Sequence, residues 1–263
     1  MPINIDDFRY MWRGKPLQTL QQADVLAPID LRGQKKDSAL LLLHGFSSSP
    51  AVYRELLPAF PAYDAIVCPT LPGHGESIAA FTSVKGNEWL TAAENACAML
   101  IKDYQQVDVL GLSLGGLLAC HLSQRFELHH LYLLAPALAL QFNITLALTT
   151  ARILRQLGFK TLRNRAGNLR SRLHSELAYR QLPMSAIIEI LALINEFKFV
   201  PPKCPTDLFL GQFDDVVNSS LVSTYFMNLP NCHIHLLSES AHVLPLDSDV
   251  GAIIACVKDN FKV

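Results

Sequence analysis

The segment Val107-Asp-Val-Leu-Gly-Leu-Ser-Leu-Gly-Gly116 decides the fold. Its first four residues form a short apolar run typical of a buried strand, and the small apolar residues at 116–120 favour a helix. Between them stands Gly-x-Ser-x-Gly, a spacing that suits a sharp strand-to-helix turn, in which larger side chains beside the serine would clash. By itself the pattern also occurs as an ordinary tight turn. In this context it predicts that Ser113 is a nucleophile exposed above the edge of a sheet.

Short runs of Val, Leu and Ile recur on both sides of this segment and alternate with longer helical patterns. The predicted strands are 39–43, 65–68, 107–110, 131–134, 207–210 and 233–237, and the predicted helices are 51–60, 88–102 and 251–261. This alternation is typical of a mostly parallel sheet covered by helices on both faces. The sequence therefore predicts an α/β fold.

One segment, 141–200, departs from this alternation. It has helical patterning without a recognisable strand, and Pro201-Pro202 ends it sharply. We predict a helical cap at 141–200, inserted into a core formed by 1–140 and 201–263. Its apolar stretch 187–194 either lines a pocket for an acyl chain or packs as ordinary core.

A base for the serine is expected in the loop after the last predicted strand. His242 lies there in Ser-Glu-Ser-Ala-His-Val, at 238–243. A serine hydroxyl is a weak nucleophile unless a base takes its proton, and the base must be held in the correct tautomer by a buried acceptor. A solvated loop histidine is the simpler interpretation of this residue alone. Its position after Ser113 and after an aspartate at another strand end favours the base.

The acceptor for that base is expected among two adjacent aspartates. Asp214 and Asp215 follow the strand predicted at 207–210, at the carboxyl edge where ligands bind in open α/β sheets. Consecutive residues point in different directions, so only one carboxylate can face the imidazole, while the other is solvated or caps the next helix. We favour Asp214, with Asp215 as the alternative.

Two backbone N–H groups are expected to stabilise the negative charge of a tetrahedral intermediate. Phe46 stands in the loop after the strand predicted at 39–43, and Leu114 directly follows the serine, so their N–H groups are the predicted donors of an oxyanion hole. An ordinary glycine turn at Gly45 is the alternative. For His74, in Pro72-Gly-His-Gly75, we predict a structural role, because no partner ligands stand at metal-binding spacing.

Composition excludes several classes of protein. The chain has 263 residues, half of them hydrophobic, and a formal net charge of −1, which offers no overall positive charge for nucleic acid. Its six cysteines form neither a metal motif nor a dense disulfide framework, and the first residues carry acidic rather than basic charge. No apolar stretch is long enough to span a bilayer. We expect a cytoplasmic protein with reduced cysteines.

Together these motifs resemble the α/β-hydrolase superfamily, and within it the bacterial carboxylesterase and monoacylglycerol-lipase branch. The similar segments are Leu-Leu-Leu-His-Gly-Phe at 41–46, Pro-Gly-His-Gly at 72–75, Gly-Leu-Ser-Leu-Gly-Gly at 111–116, Asp-Asp-Val-Val-Asn at 214–218 and Ser-Ala-His-Val at 240–243. The resemblance implies ester hydrolysis through an acyl-enzyme without a metal or organic cofactor. It also supports Asp214, since the family's acid is the first of such a pair. In this superfamily the cap largely determines the substrate, so these motifs do not identify it.

Three functions are consistent with these residues. The first is a serine carboxylesterase for esters of short to medium acyl chains, monoacylglycerol included. The second is a thioesterase, or an esterase for acyl groups on an acidic carrier; it is favoured by eight basic residues against Glu176 alone between Arg152 and Arg180. Such a cap can bind an acidic carrier or an anionic surface, or it can simply be solvated. The third is a catalytically silent ligand-binding homologue.

Overall fold

The computed structural model describes residues 3–261, and its centre is a seven-stranded sheet. The strands of this sheet are β3 (Ile29–Arg32), β4 (Ser38–Leu43), β5 (Ala65–Cys68), β6 (Gln106–Leu112), β7 (His130–Leu134), β11 (Thr206–Gly211) and β12 (Cys232–Leu237). All six strands predicted from the sequence are present, with bounds shifted by no more than a residue or two. The additional strand, β3, was not predicted.

The order across the sheet is β12-β11-β7-β6-β4-β5-β3, and every pairing is parallel except that of β3 with β5. Side chains alternate between the two faces along each strand. On β4, Leu41 and Leu43 enter one apolar core, whereas Leu40 and Leu42 enter the other. Because both faces are buried, the strands read as continuous apolar runs, which is why the sequence revealed them.

Helices cover both faces of the sheet. The described helices are α1 (Ile78–Ser83), α2 (Gly86–Asp103), α3 (Leu114–Arg125), α4 (Ile144–Gln156), α5 (Met184–Glu196), α6 (Ser219–Phe226) and α7 (Val250–Phe261). The helices predicted at 88–102 and 251–261 correspond to α2 and α7. The helix predicted at 51–60 is wrong: two short 3-10 segments, Pro50–Tyr53 and Leu57–Ala59, stand there, and Pro58, the second residue of the latter, has no N–H to donate. None of the helices between residues 3 and 261 is long and apolar enough to cross a bilayer.

The segment 141–200 differs from the prediction of a cap without strands. Helices α4 and α5 pack together through Leu148, Met184 and Leu191, but three short strands lie between them: β8 (Thr161–Arg163), β9 (Glu176–Tyr179) and β10 (Gln181–Pro183). Strands β8 and β10 pair with each other. These strands are only three or four residues long, too short for alternation to be recognised in the sequence.

The N-terminus contributes a hairpin that was also not predicted. Its strands are β1 (Phe8–Trp12) and β2 (Lys15–Thr19), and β1 pairs on its other side with β9 in an antiparallel ladder. The hairpin therefore ties the middle of the segment 141–200 to the N-terminus. The domain bounds predicted above remain a prediction.

Candidate active site

Ser113 occupies a strained turn between β6 and α3. Its φ of 54° and ψ of −110° lie in a region that residues other than glycine rarely adopt. The turn is fixed by backbone hydrogen bonds, from Ser113 N–H to the carbonyl of Leu134 at 2.9 Å and from Ala137 N–H to the carbonyl of Ser113 at 2.9 Å. Both glycines of the motif are required, because a Cβ at Gly111 would collide with the carbonyl of Gly115, and one at Gly115 with the carbonyl of Leu43.

His242 and Asp214 form a buried hydrogen-bonded pair at the carboxyl edge of the sheet. His242 Nδ1 lies 2.8 Å from Asp214 Oδ2, and His242 is only 8% exposed. The other carboxylate oxygen, Asp214 Oδ1, accepts hydrogen bonds from the N–H groups of Val216 and Val217, each at 2.8 Å. These bonds fix the carboxylate, which in turn sets the orientation of the imidazole.

The environment of His242 favours its protonated form. Burial alone would lower the pKa of this imidazole, but the negative charge and the hydrogen bond of Asp214, together with the charge of Glu176, outweigh burial and raise the pKa above 6.5. An imidazolium that forms while a proton is in transit is therefore stabilised at this position.

Asp215 has a different partner. Its Oδ2 accepts a hydrogen bond from Asn168 Nδ2 at 3.0 Å, and its N–H donates to Asn168 Oδ1 at 3.2 Å. Asn168 Oδ1 also accepts from the N–H of His242 at 3.0 Å. Of the two aspartates that the sequence left open, Asp214 contacts the imidazole, and Asp215 braces the loop that carries it.

The loop after β4 is held by two neutral histidines. His44 Nε2 accepts from Leu71 N–H at 3.0 Å, and His74 Nε2 accepts from Ser47 N–H at 3.1 Å. Burial lowers the pKa of His44 to about 4 and the pKa of His74 well below 6.5, so both remain neutral at physiological pH. The structural role predicted for His74 is confirmed by this bond. Among residues 3–261, the N–H groups of Phe46 and Leu114 donate to no protein acceptor, which leaves them open to a ligand.

A cavity of about 770 Å³ brings the predicted residues together. Gly45, Phe46, Ser113, Leu114 and His242 all line it. Elsewhere its wall is largely apolar and comes from α4 and α5: Leu146, Ala147, Ala151, Leu154, Met184, Ile187, Ile190, Leu191 and Ile194. Ser113 is half-buried and lines this cavity. The apolar stretch 187–194 therefore serves the cavity as well as the core.

A buried carboxylate in this cavity was missed by sequence reasoning. Glu176, on β9, is 7% exposed, and its Oε2 accepts from Gly167 N–H at 2.6 Å. Burial raises the pKa of this carboxyl above 4.5, partly offset by the bond from Gly167 and by the charge of His242. A carboxylate in an apolar cavity is a strong acceptor for hydroxyl groups. No recognisable motif surrounds Glu176, so it could not be predicted as a site residue.

A second missed residue, Asp247, fixes the loop of His242. Its carboxylate accepts from the N–H of Ala241 at 2.8 Å, from Ser171 at 2.7 Å and from Arg170 at 2.9 Å. The carboxylate of Asp247 thus joins the loop of His242 to residues 170–171. A sequence signal would require knowing that these two loops meet.

Comparison with known proteins agrees with this geometry. The model of a family described as "Alpha/beta hydrolase family" matches residues 40–255, most of the chain. The chain belongs to the alpha/beta hydrolase family. Membership makes it a hydrolase with the mostly parallel sheet and flanking helices described above.

Two curated relatives and one solved structure are informative. A thermostable monoacylglycerol lipase from Bacillus sp. (strain H-257) is 27% identical over 225 residues, covering 82% of this chain and 86% of the relative. A pimeloyl-[acyl-carrier protein] methyl ester esterase from Neisseria meningitidis is 38% identical over 84 residues, only 32% of this chain and 25% of the relative. One structure from a study of the metagenome-derived lipolytic enzymes LipS and LipT aligns with a TM-score of 0.77 at 21% identity, over 89% of this chain and 98% of that chain. This last likeness shows the fold alone.

The electrostatics of His242 generate a direct test by NMR titration of its imidazole. In the wild type we expect a pKa above 6.5. Asp214→Asn removes the charge that outweighs burial, so the pKa of His242 should fall, whereas in the matched variant Asp215→Asn it should stay at the wild-type value. An unchanged pKa in Asp214→Asn would contradict the assignment of Asp214 as the partner.

Proposed function

We propose that this chain is a serine carboxylesterase, with Ser113 as nucleophile, His242 as general base and acid, and Asp214 as the residue that orients His242. The observation that carries the proposal is the buried pair of His242 and Asp214, opening together with Ser113 onto one largely apolar cavity. The Bacillus monoacylglycerol lipase supports the same class of reaction.

The reaction then proceeds in two steps. His242 takes the proton of Ser113 as Oγ bonds to the ester carbonyl carbon, and the N–H groups of Phe46 and Leu114 stabilise the oxyanion. The imidazolium returns its proton to the departing alcohol, which leaves an acyl group on Ser113. Water, deprotonated by His242, then attacks the acyl carbon. The imidazolium protonates Ser113 Oγ as its bond to that carbon breaks, which releases the acid and restores the free serine. The residues of the site suffice for each step.

The acyl chain fits the apolar part of the cavity. The facing walls of α4 and α5 supply Leu and Ile side chains without a charged group. Burying methylene groups there contributes about 0.8 kcal/mol each, so longer chains gain affinity until the cavity is filled. We propose short to medium acyl chains as the preferred substrates.

The alcohol portion of the substrate meets the polar end of the cavity. Glu176, Asn164 and Asn168 line the wall there with His242. Within residues 3–261, Glu176 forms no salt bridge. A buried carboxylate of this kind favours a ligand with hydroxyl groups, since each charge-assisted hydrogen bond contributes about 1.5–3 kcal/mol. Monoacylglycerol, whose glycerol keeps two free hydroxyls, is the ester that best suits both ends of the cavity.

A second candidate is a thioester or an ester on an acidic carrier. It is favoured by Arg163 and Arg165, which line the cavity, and by the short match to the Neisseria esterase for a carrier-bound substrate. Not all of the basic residues are available. Arg170 pairs with Glu239 at 3.1 Å and lies over the ring of Phe213, and Arg180 is 3.9 Å from Asp7. The thioester or carrier-ester hypothesis therefore rests on Arg163 and Arg165, which line the cavity.

The nucleophile is tested with a fluorophosphonate probe and p-nitrophenyl esters of increasing chain length. Ser113→Ala should abolish labelling and lower turnover on the order of 10³-fold or more, because only the nucleophile is removed. The exposed-serine variant Ser220→Ala should match the wild type in both assays.

Retention of labelling in Ser113→Ala would refute the nucleophile. A folded wild-type protein that the probe does not label would favour a silent binding homologue, and labelling without turnover of any ester would refute the esterase. Among the wild-type substrates, turnover should peak at short to medium chains.

The polar end of the cavity is tested by Glu176→Gln, which keeps the size and the acceptor for Gly167. At a pH above the acid limb of the pH–rate profile, kcat/KM for monoacylglycerol should fall by roughly 10-fold or more, because a charge-assisted hydrogen bond to a hydroxyl is lost. In Glu176→Gln, kcat/KM for the p-nitrophenyl ester of the same acid should change little. In the exposed control variant Glu196→Gln, kcat/KM for monoacylglycerol should also change little. Equal losses for both esters in Glu176→Gln would contradict a role in binding the alcohol.

The basic residues at the cavity are tested by a double variant, Arg163→Gln with Arg165→Gln, using a neutral ester and one with an acidic acyl terminus. If Arg163 and Arg165 bind an acidic substrate, the double variant should lower kcat/KM for the acidic ester alone. Added salt should lower the same kcat/KM in the wild type, because exposed charges are screened over roughly 8 Å. Arg152→Gln with Arg155→Gln is the matched control. Equal effects of salt and of both double variants on both esters would exclude the carrier hypothesis.

A further inference from the structure

A second cluster of polar groups lies at the edge of the sheet opposite the active site. Asp207 stands near the start of β11, whereas Asp214 follows the end of the same strand. Around Asp207 are His130 at the start of β7, His235 on β12, and Cys256 on α7. Side chains from three neighbouring strands and from α7 thus meet at the carboxylate of Asp207. The proposed mechanism of ester hydrolysis uses none of these side chains.

The donor atoms of this cluster are close together. The ligand atoms of Asp207, His235 and Cys256 all lie within 4.8 Å of one another. His235 Nε2 is 2.6 Å from Asp207 Oδ1, and His130 Nε2 is 2.8 Å from Asp207 Oδ2. Asp207 is 4% exposed, while the other two members of the triplet are half-buried, so an ion can reach them from solvent.

One buried hydroxyl group, that of Tyr132, lies beside the cluster. The hydroxyl of Tyr132 is fully buried and makes no hydrogen bond within the described residues. Tyr132 pairs with Asp207 across the ladder between β7 and β11, and its ring stacks on His130 at 4.4 Å between centroids. A buried hydroxyl without a partner is unfavourable, and a water bound to a metal ion at the cluster would satisfy it.

We propose that Asp207, His235 and Cys256 bind a zinc ion, with a water molecule as the fourth ligand and the hydroxyl of Tyr132 as the hydrogen-bond partner of that water.

The donor set selects zinc among common ions. A thiolate, an imidazole and a carboxylate suit Zn²⁺, whereas Ca²⁺ and Mg²⁺ prefer oxygen alone. Zinc bonds of about 2.0–2.3 Å separate the donor atoms of a tetrahedron by roughly 3.3–3.8 Å, so small side-chain rotations close the site. On binding, Cys256 releases its thiol proton to solvent, and His235 coordinates through Nε2 with its proton on Nδ1.

Two further side chains already hold the carboxylate of Asp207. His130 Nε2 contacts the carboxylate of Asp207, and Asn260 Nδ2 donates to Asp207 Oδ2 at 2.9 Å. Such partners fix the orientation of a ligating carboxylate. Because Cys256 and Asn260 belong to α7, zinc would attach this last helix to β11 and β12. A zinc ion here would stabilise the packing of α7, and hydrolysis at Ser113, at the opposite edge of the sheet, does not require it.

The test uses untagged full-length protein, stripped with a chelator and then loaded with Zn²⁺, with the metal measured after removal of the excess. We expect one zinc per chain, a rise in Tm on loading, and a thiolate-to-metal absorption band when Co²⁺ replaces zinc. Cys256→Ala and Asp207→Asn should each weaken binding by more than the roughly 10–100-fold that loss of an outer-shell partner costs. Cys204→Ala, another half-buried cysteine outside the triplet, should bind as the wild type does.

A third variant, His235→Gln, changes a half-buried position and is used should Cys256→Ala or Asp207→Asn fail to fold. It should lose zinc binding as well. Absence of stoichiometric zinc in the wild type, or equal binding in all variants, would overturn the proposal and leave a hydrogen-bonded cluster only. Ester hydrolysis by the zinc-free protein is measured in parallel. The zinc-free and zinc-loaded proteins should hydrolyse the ester at the same rate. Absence of hydrolysis in both would contradict the proposed esterase and leave the zinc site untouched, whereas a loss on stripping that zinc restores would contradict the independence of the two sites.

Discussion

The backbone at Ser113, with a φ of 54°, is the constraint on which the rest of the site depends. A non-glycine residue in such a conformation costs about 1–3 kcal/mol and persists only where its surroundings fix it. Here those surroundings are the carbonyls of Leu43 and Leu134 and the two glycines that let β4, β6 and α3 approach one another. The turn brings Ser113 to the cavity that Phe46 and Leu114 also line. Within residues 3–261 the N–H groups of these two residues donate to no protein acceptor.

The position of His242 depends on the segment 141–200 as much as on the sheet. Asn168 accepts from the backbone N–H of His242, and Asp247 binds both the histidine loop and residues 170–171. The same segment supplies α4 and α5 to the acyl part of the cavity and Glu176 to its polar end. Under the proposed function, one stretch of chain both selects the substrate and aligns the base, so a change in the segment that alters specificity should often alter turnover as well.

The sequence was informative where one physical signal dominates. Strands buried on both faces appear as apolar runs, and Ser113, Asp214 and His242 each stand in a short motif behind such a run. It failed where structure depends on distant partners. Strand β2 is exposed along its whole length, and β8 to β10 are too short to show alternation. Glu176 acquires its position only because β9 pairs with β1, far away in the chain.

The most direct test of the site is a crystal structure of the protein after reaction with a fluorophosphonate. We expect phosphorus bonded to Ser113 Oγ, the phosphoryl oxygen within hydrogen-bonding distance of the N–H groups of Phe46 and Leu114, and His242 still paired with Asp214. The alkyl chain should lie between α4 and α5. Phosphorus on another residue, or a phosphoryl oxygen that points away from both N–H groups, would contradict the assignment of this site.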